Sequence, residues 1–151
     1  MDTKAILSRT KTQMILNHPF FAILAMHLPL AESPKDANGE YEIPTMGTNG
    51  THIYYNPAFV DLIISQAKGG SSGGMNVAPV IGVMVHELMH IALGHLWRKE
   101  HRQHEVWNIA CDYVINALIL AETIELPEGT LNDPKYDGMS EEQIYHELIK
   151  I

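Results

Sequence analysis

Apolar residues fall into separate runs along the chain, and their spacing sorts the 151 residues into helices separated by joints rich in glycine, proline or charge. The densest run is Val77 to Leu96, VAPVIGVMVHELMHIALGHL. Its apolar positions, from Ile81 through Met84, Leu88 and Ile91 to Leu96, cover almost every face of a helix, which predicts a buried core element. Upstream, residues 3–17 read as a helix with a weak amphipathic pattern. Pro19 suits the first turn of a second helix, Pro19 to Leu28, with Asn17 or His18 as its cap and Phe20, Phe21, Ile23, Leu24, Met26 and Leu28 as core positions. His18 and His27, alone at its two ends, read as structural.

Ala31 to Glu40 reads as a loop. Tyr41 to Met46 and Thr51 to Tyr55 are two β-prone runs around Gly47-Thr48-Asn49-Gly50, the signature of a β-hairpin. Pro44 lacks an N–H and places its strand at an edge or bulge. Asn56-Pro57 opens a helix through Gln66, and Lys68 to Gly74, KGGSSGG, reads as a flexible linker beside the central helix. Beyond Leu96, Trp97 to Arg102 is a polar connection, His104 to Leu120 is a further helix, and Glu122 to Gly138 is a long loop. Ser140-Glu141-Glu142-Gln143 is a capping-box start for a last helix, Glu141 to Ile149. The pattern predicts one domain spanning 1–151, an α+β fold that is mainly helical with a small β-hairpin.

Composition narrows the function. The chain is 46% hydrophobic, enough for a sizeable core. Its net charge of −8, with only 10 Lys and Arg, argues against a broad nucleic-acid or anionic-membrane surface. The single cysteine, Cys111, cannot form an internal disulfide, which fits a reducing compartment. The N-terminus lacks the basic-then-apolar order of a secretory signal, and Phe20 to Leu30 is too short to span a bilayer. The expectation is a cytoplasmic protein with no nucleic-acid and no membrane partner.

The chemistry lies where polar residues interrupt the central apolar helix. His86, Glu87, Leu88, Met89 and His90 spell H-E-x-x-H. Histidines four apart point within roughly 40° of each other, so their imidazoles can converge on one ion. Three polar side chains in apolar surroundings are costly unless something such as Zn2+ compensates them. Glu87, beside that ion, can take a proton from zinc-bound water and deliver it to a leaving amine, the work of a metallopeptidase on a peptide or protein substrate. On the helix that follows, Asn108, Asp112 and Asn116 fall at i, i+4 and i+8, and such a polar stripe suits a face turned to a site.

HELMHIALGH followed by WNIACDYVIN resembles the putative metallopeptidase domain of bacterial and phage proteins, a branch of the zincin group that often precedes a von Willebrand factor A-like domain. NHPFFAILAMHLPL, THIYYNPAFV and GMSEEQIYHEL sit in that family's order, so the likeness runs over most of the chain. It implies a zincin-like fold with a small sheet packed on the H-E-x-x-H helix, zinc as cofactor and peptidase activity. It also implies a partner supplying a von Willebrand A-like function, since the chain reaches Ile151 before any such domain. An edge strand binds substrate by strand addition in zincins, which nominates Thr51 to Tyr55.

A third ligand is required beside His86 and His90. His95 is nearest, but on an unbroken helix it lies about 140° from His90 and about 180° from His86, and it could bind only if the helix broke before Gly94. Asp112, a carboxylate on a separate helix, is preferred. Related zincin patterns would instead put Asn108 at the ligand position, but an amide is a poor zinc ligand, so Asn108 and Asn116 are assigned as orienting neighbours. His101, His104, Tyr113 and Tyr136 are candidates for oxyanion support. Two other classes stay open: a non-catalytic metal-binding adaptor or assembly module, and a zinc hydrolase acting on RNA through His86, His90 and His95. A peptide deformylase is disfavoured, because no cysteine ligand precedes the motif.

Overall fold

A computed structural model describes residues 2–67 and 75–150; the expected linker, Lys68 to Gly74, lies outside them. Among the described residues the order is α1 (Thr3–Asn17), α2 (Pro19–Met26), β1 (Leu30–Glu32), β2 (Met46–Thr48), β3 (Ile53–Tyr55), α3 (Pro57–Gln66), α4 (Ala78–Ala92), α5 (His95–Arg98), α6 (His104–Ala121) and α7 (Glu141–Ile149). A 3-10 turn, Pro134–Tyr136, lies in the long loop before α7. The fold is thus a mainly helical α+β domain. No described helix is long and apolar enough to cross a membrane.

The central element is α4. The Asn76 side chain accepts a hydrogen bond from the Ala78 N–H at 3.0 Å, and Pro79 occupies the first turn, where its missing donor costs nothing. Helices α1, α2, α3 and α6 and strand β2 all pack on it, while α7 docks mainly on α6. Val80, Met84, Val85 and Leu88 are buried almost completely. Each such side chain contributes about 1.5–3 kcal/mol relative to an exposed one.

The central helix is shorter than its apolar run. It stops at Ala92, and Gly94 turns left-handed at φ 70° while its N–H bonds to the Ile91 carbonyl. A Cβ on residue 94 would fall 2.8 Å from the Trp97 indole nitrogen, so both the conformation and the close approach require glycine. The expected unbroken helix through Leu96 is therefore corrected to two helices, and the chain reverses just before His95.

The sheet also differs from expectation. The order is β1-β3-β2, with β1 parallel to β3 and β2 antiparallel to it. The hairpin exists, but Met46 pairs with Tyr55 and Thr48 with Ile53, so the turn lies two residues later than predicted. Asn49 explains the shift: its side-chain oxygen accepts from the N–H groups of Thr51 and His52 and closes the turn there. The start of the expected Ala31 to Glu40 loop is strand β1. Consequently Thr51 to Tyr55 is not an exposed edge; its strand is paired on both sides, and β2 is the edge beside α4.

On α2, Ala22 and Ala25 face inward while Phe20, Ile23 and Met26 are more than half exposed. An all-apolar octapeptide carries no periodic signal to say which face is buried, and here its small residues are the ones packed.

Gly82 of α4 lies against the loop that follows α6: a Cβ there would fall 1.9 Å from the Glu125 carbonyl oxygen. Alanine would gain about 1 kcal/mol in helix propensity. Overpacking costs about 1–3 kcal/mol, and here the obstacle is backbone rather than a flexible side-chain tip. Gly82→Ala is therefore expected to lower the thermal unfolding midpoint; an unchanged or higher midpoint would mean the loop does not clasp α4.

Candidate metal centre

His86 and His90 lie one turn apart on α4, and Asp112 reaches them from α6. His86 Nε2 is 3.0 Å from Asp112 Oδ1, His90 Nε2 is 3.3 Å from the same oxygen, and the two Nε2 atoms are 3.2 Å apart. Two helices thus deliver three ligand-type atoms to one point, and these residues could hold a metal ion. His95 is not in the set. Its Nδ1 contacts His90 Nδ1 at 3.0 Å and its Nε2 bonds to Glu141 Oε2 at 2.5 Å, so it is packed behind His90. The turn at Gly94 brings it there, contrary to the expectation that it faces away. The three-histidine alternative accordingly lacks its third ligand.

Each histidine is braced at its far nitrogen. Asn116 donates its amide N–H to the Leu131 carbonyl at 2.8 Å, which turns its side-chain oxygen toward His86 Nδ1, also at 2.8 Å. That oxygen can only accept, so His86 carries a proton on Nδ1 and offers Nε2 to the site. Asn116, expected as an orienting neighbour, thus lies in hydrogen-bond contact with His86. Asn108 lines the cleft but makes no side-chain hydrogen bond among the described residues.

The electrostatics of the site call for positive charge at the meeting point. Burial opposes ionisation of Asp112, yet the neighbouring His86 and His90 imidazoles hold its carboxyl at about 2. For His86, burial acts to lower the pKa but is outweighed by the bond to Asp112 and the charge of Glu87, and the net shift is upward. Burial lowers His90, and the neighbouring His86 and His95 add to the fall. Glu87 is different: burial pushes it up to about 8, against the pull of His86. It is 8% exposed and has no hydrogen-bond or ion-pair partner among the described residues.

The three residues and Glu87 line one cleft of about 520 Å³, walled by Thr45 to Thr48 of the β2 edge, by Phe59 and by the loop from Leu126 to Leu131. Of the four residues considered for oxyanion support, His104 lines this cleft and His101, Tyr113 and Tyr136 do not. Tyr113 and Tyr136 pack on each other instead, their rings 4.7 Å apart.

Sequence reasoning missed Glu141 and Arg98. Glu141 reads as an ordinary capping-box residue and Arg98 as part of a polar connection. Yet Glu141 is 5% exposed, gripped by both Arg98 nitrogens at 3.0 and 3.1 Å, and the bonds from His95 and Arg98 overcome its burial to hold its carboxyl at about 2. The available signal was its spacing: three residues before the fully buried Ile144, it sits on the packed face of α7.

Fold and site together define a mainly helical domain with a candidate metal site, whose ligand-type atoms come from an H-E-x-x-H turn and an aspartate on a second helix. The chain belongs to the putative metallopeptidase domain family, whose model matches residues 3–150. The family assignment bears out the likeness seen in HELMHIALGH and WNIACDYVIN, and it makes the domain one of a family of metal-dependent hydrolase type. No curated protein and no solved structure gives a significant match.

Proposed function

We propose that this domain is a zinc metallopeptidase in which His86, His90 and Asp112 hold the ion and Glu87 is the general base. The observation carrying this reading is the convergence of three donor atoms beside a buried carboxyl that has no partner of its own among the described residues. Zinc fits the donor set. Two imidazole nitrogens and a carboxylate are a known catalytic combination, and tetrahedral bonds of about 2.0–2.2 Å require donors about 3.3 Å apart. The separations here are 3.0, 3.2 and 3.3 Å.

When bound, zinc polarises a carbonyl and lowers the pKa of water beside it. The protein's own residues do the rest. Glu87 takes a proton from the attacking water and returns it to the leaving amine nitrogen, the two halves of general acid–base work. His104 and Asn108, on the cleft wall, are assigned to hydrogen-bond the substrate. The edge of β2 that pairs with no strand among the described residues offers backbone groups to an extended peptide, so strand addition is assigned to Met46–Thr48 in place of Thr51 to Tyr55.

The test is incubation of the zinc-loaded protein with a peptide library drawn from a whole proteome, followed by mass spectrometry of new amino termini. Cleavage that stops on chelation and returns with zinc is expected. A folded, zinc-loaded protein that generates no new termini would overturn the peptidase reading and leave only a metal-binding module.

A further inference from the structure

A line of side-chain hydrogen bonds runs from α7 to the ligand set, and its proton positions can be worked out one after another. Arg98 donates to both oxygens of Glu141 at 3.0 and 3.1 Å, so that carboxylate is ionised and acts only as an acceptor. His95 Nε2 must then be the donor in the 2.5 Å bond to Glu141, which lets His95 Nδ1 act as the acceptor on its other side. His90 Nδ1 lies 3.0 Å from it, and a His90 that offers Nε2 to the ion carries its proton on Nδ1 and donates it there. His90 Nε2 is left unprotonated, and this is the atom that faces His86 and Asp112.

We infer that His95 and Glu141 are positioning residues of the metal site, forming a carboxylate–histidine–histidine relay that fixes the tautomer of His90 and strengthens it as a donor. The inference rests on the reading that His90 binds the ion. It makes the two histidine ligands unequal: His86 is backed by the neutral amide of Asn116, His90 by a negative charge delivered through a second imidazole. It also makes metal affinity depend on the last helix, although α7 contributes nothing to the cleft wall.

Several features hold the relay in place. The left-handed turn at Gly94 returns His95 beneath His90. The Trp107 indole N–H donates to the His95 backbone carbonyl at 2.9 Å, and Arg98 ties the α4 end to α7 by also donating to the Leu93 carbonyl at 2.8 Å. His95 is 3% exposed. A bridge whose only task were to dock α7 would not need a second imidazole buried between carboxylate and ligand.

The test has two parts. Nitrogen-15 NMR of the unsubstituted, zinc-loaded chain reads the tautomers directly, with His90 protonated at Nδ1 and His95 at Nε2 as the expected result. The opposite tautomer at either ring overturns the inference and needs no variant to fold. Zinc affinity, measured by competition with a chromophoric chelator, is then compared among the parent, Glu141→Gln, His95→Ala and Ile144→Ala. Loss of an outer partner typically costs about 10–100-fold in metal affinity, and that loss is expected for the first two variants. Ile144→Ala removes a buried α7 side chain outside the relay, so it should lower the melting temperature and leave the affinity of the folded protein unchanged. Folded relay variants that bind zinc as tightly as the parent overturn the inference alone. A parent that binds no zinc overturns the metal reading and this inference with it.

Discussion

Glu87→Gln is expected to retain one zinc per chain, fold normally and lose hydrolysis by about 10²–10⁴-fold, the usual contribution of a positioned acid–base group. Glutamine keeps the shape of the side chain and removes only its ability to carry a proton. Because Glu87 belongs to none of the close contacts among His86, His90 and Asp112, the metal should stay. The substitution should also stabilise the metal-free protein. Burial holds the Glu87 pKa at about 8 against an ordinary value of 4.5, so the folded state binds this proton more tightly than the unfolded chain does. The stability associated with the group is fully present below the ordinary pKa and is lost as pH rises through about 8. Thermal unfolding of metal-free parent and variant across this interval should diverge in favour of the variant as pH rises. A variant that loses the metal, or hydrolyses as fast as the parent, would remove Glu87 from its assigned role.

Asp112→Ala is expected to weaken zinc binding by more than the 10–100-fold typical of an outer partner. Asp112 Oδ1 is the atom that both histidine nitrogens approach, and without it the site has two ligands on a single helix. Asn108→Ala, one turn earlier on α6, should leave affinity nearly intact, since Asn108 contacts neither histidine by hydrogen bond among the described residues. Isothermal titration of the three proteins with zinc separates the cases: equal affinities for parent and Asp112→Ala would return the third-ligand position to another residue.

Local signals made much of this legible beforehand. The all-apolar pattern of α4, the four-residue spacing of His86 and His90, and the polar stripe of Asn108, Asp112 and Asn116 are properties of single helices. The structure brings His86, His90 and Asp112 together and sets Asn116 in hydrogen-bond contact with His86. What was hidden depends on contacts between distant segments. The parallel pairing of β1 with β3 joins Leu30 to Ile53 across 22 intervening positions, and three-residue strands carry too little periodicity to reveal it. Gly94 permits a break without demanding one, so the return of His95 could not be read from its neighbours. Glu141 lies 46 residues from His95, and its capping-box setting supplied a complete local explanation for an acidic residue there.

Anomalous scattering at the zinc edge from a crystal of the zinc-loaded chain locates the ion directly. The predicted result is one peak per chain, about 2.0–2.2 Å from His86 Nε2, His90 Nε2 and Asp112 Oδ1, with the fourth position open to water. A peak that has His95 in place of Asp112 as ligand, or lies away from the cleft altogether, would contradict it.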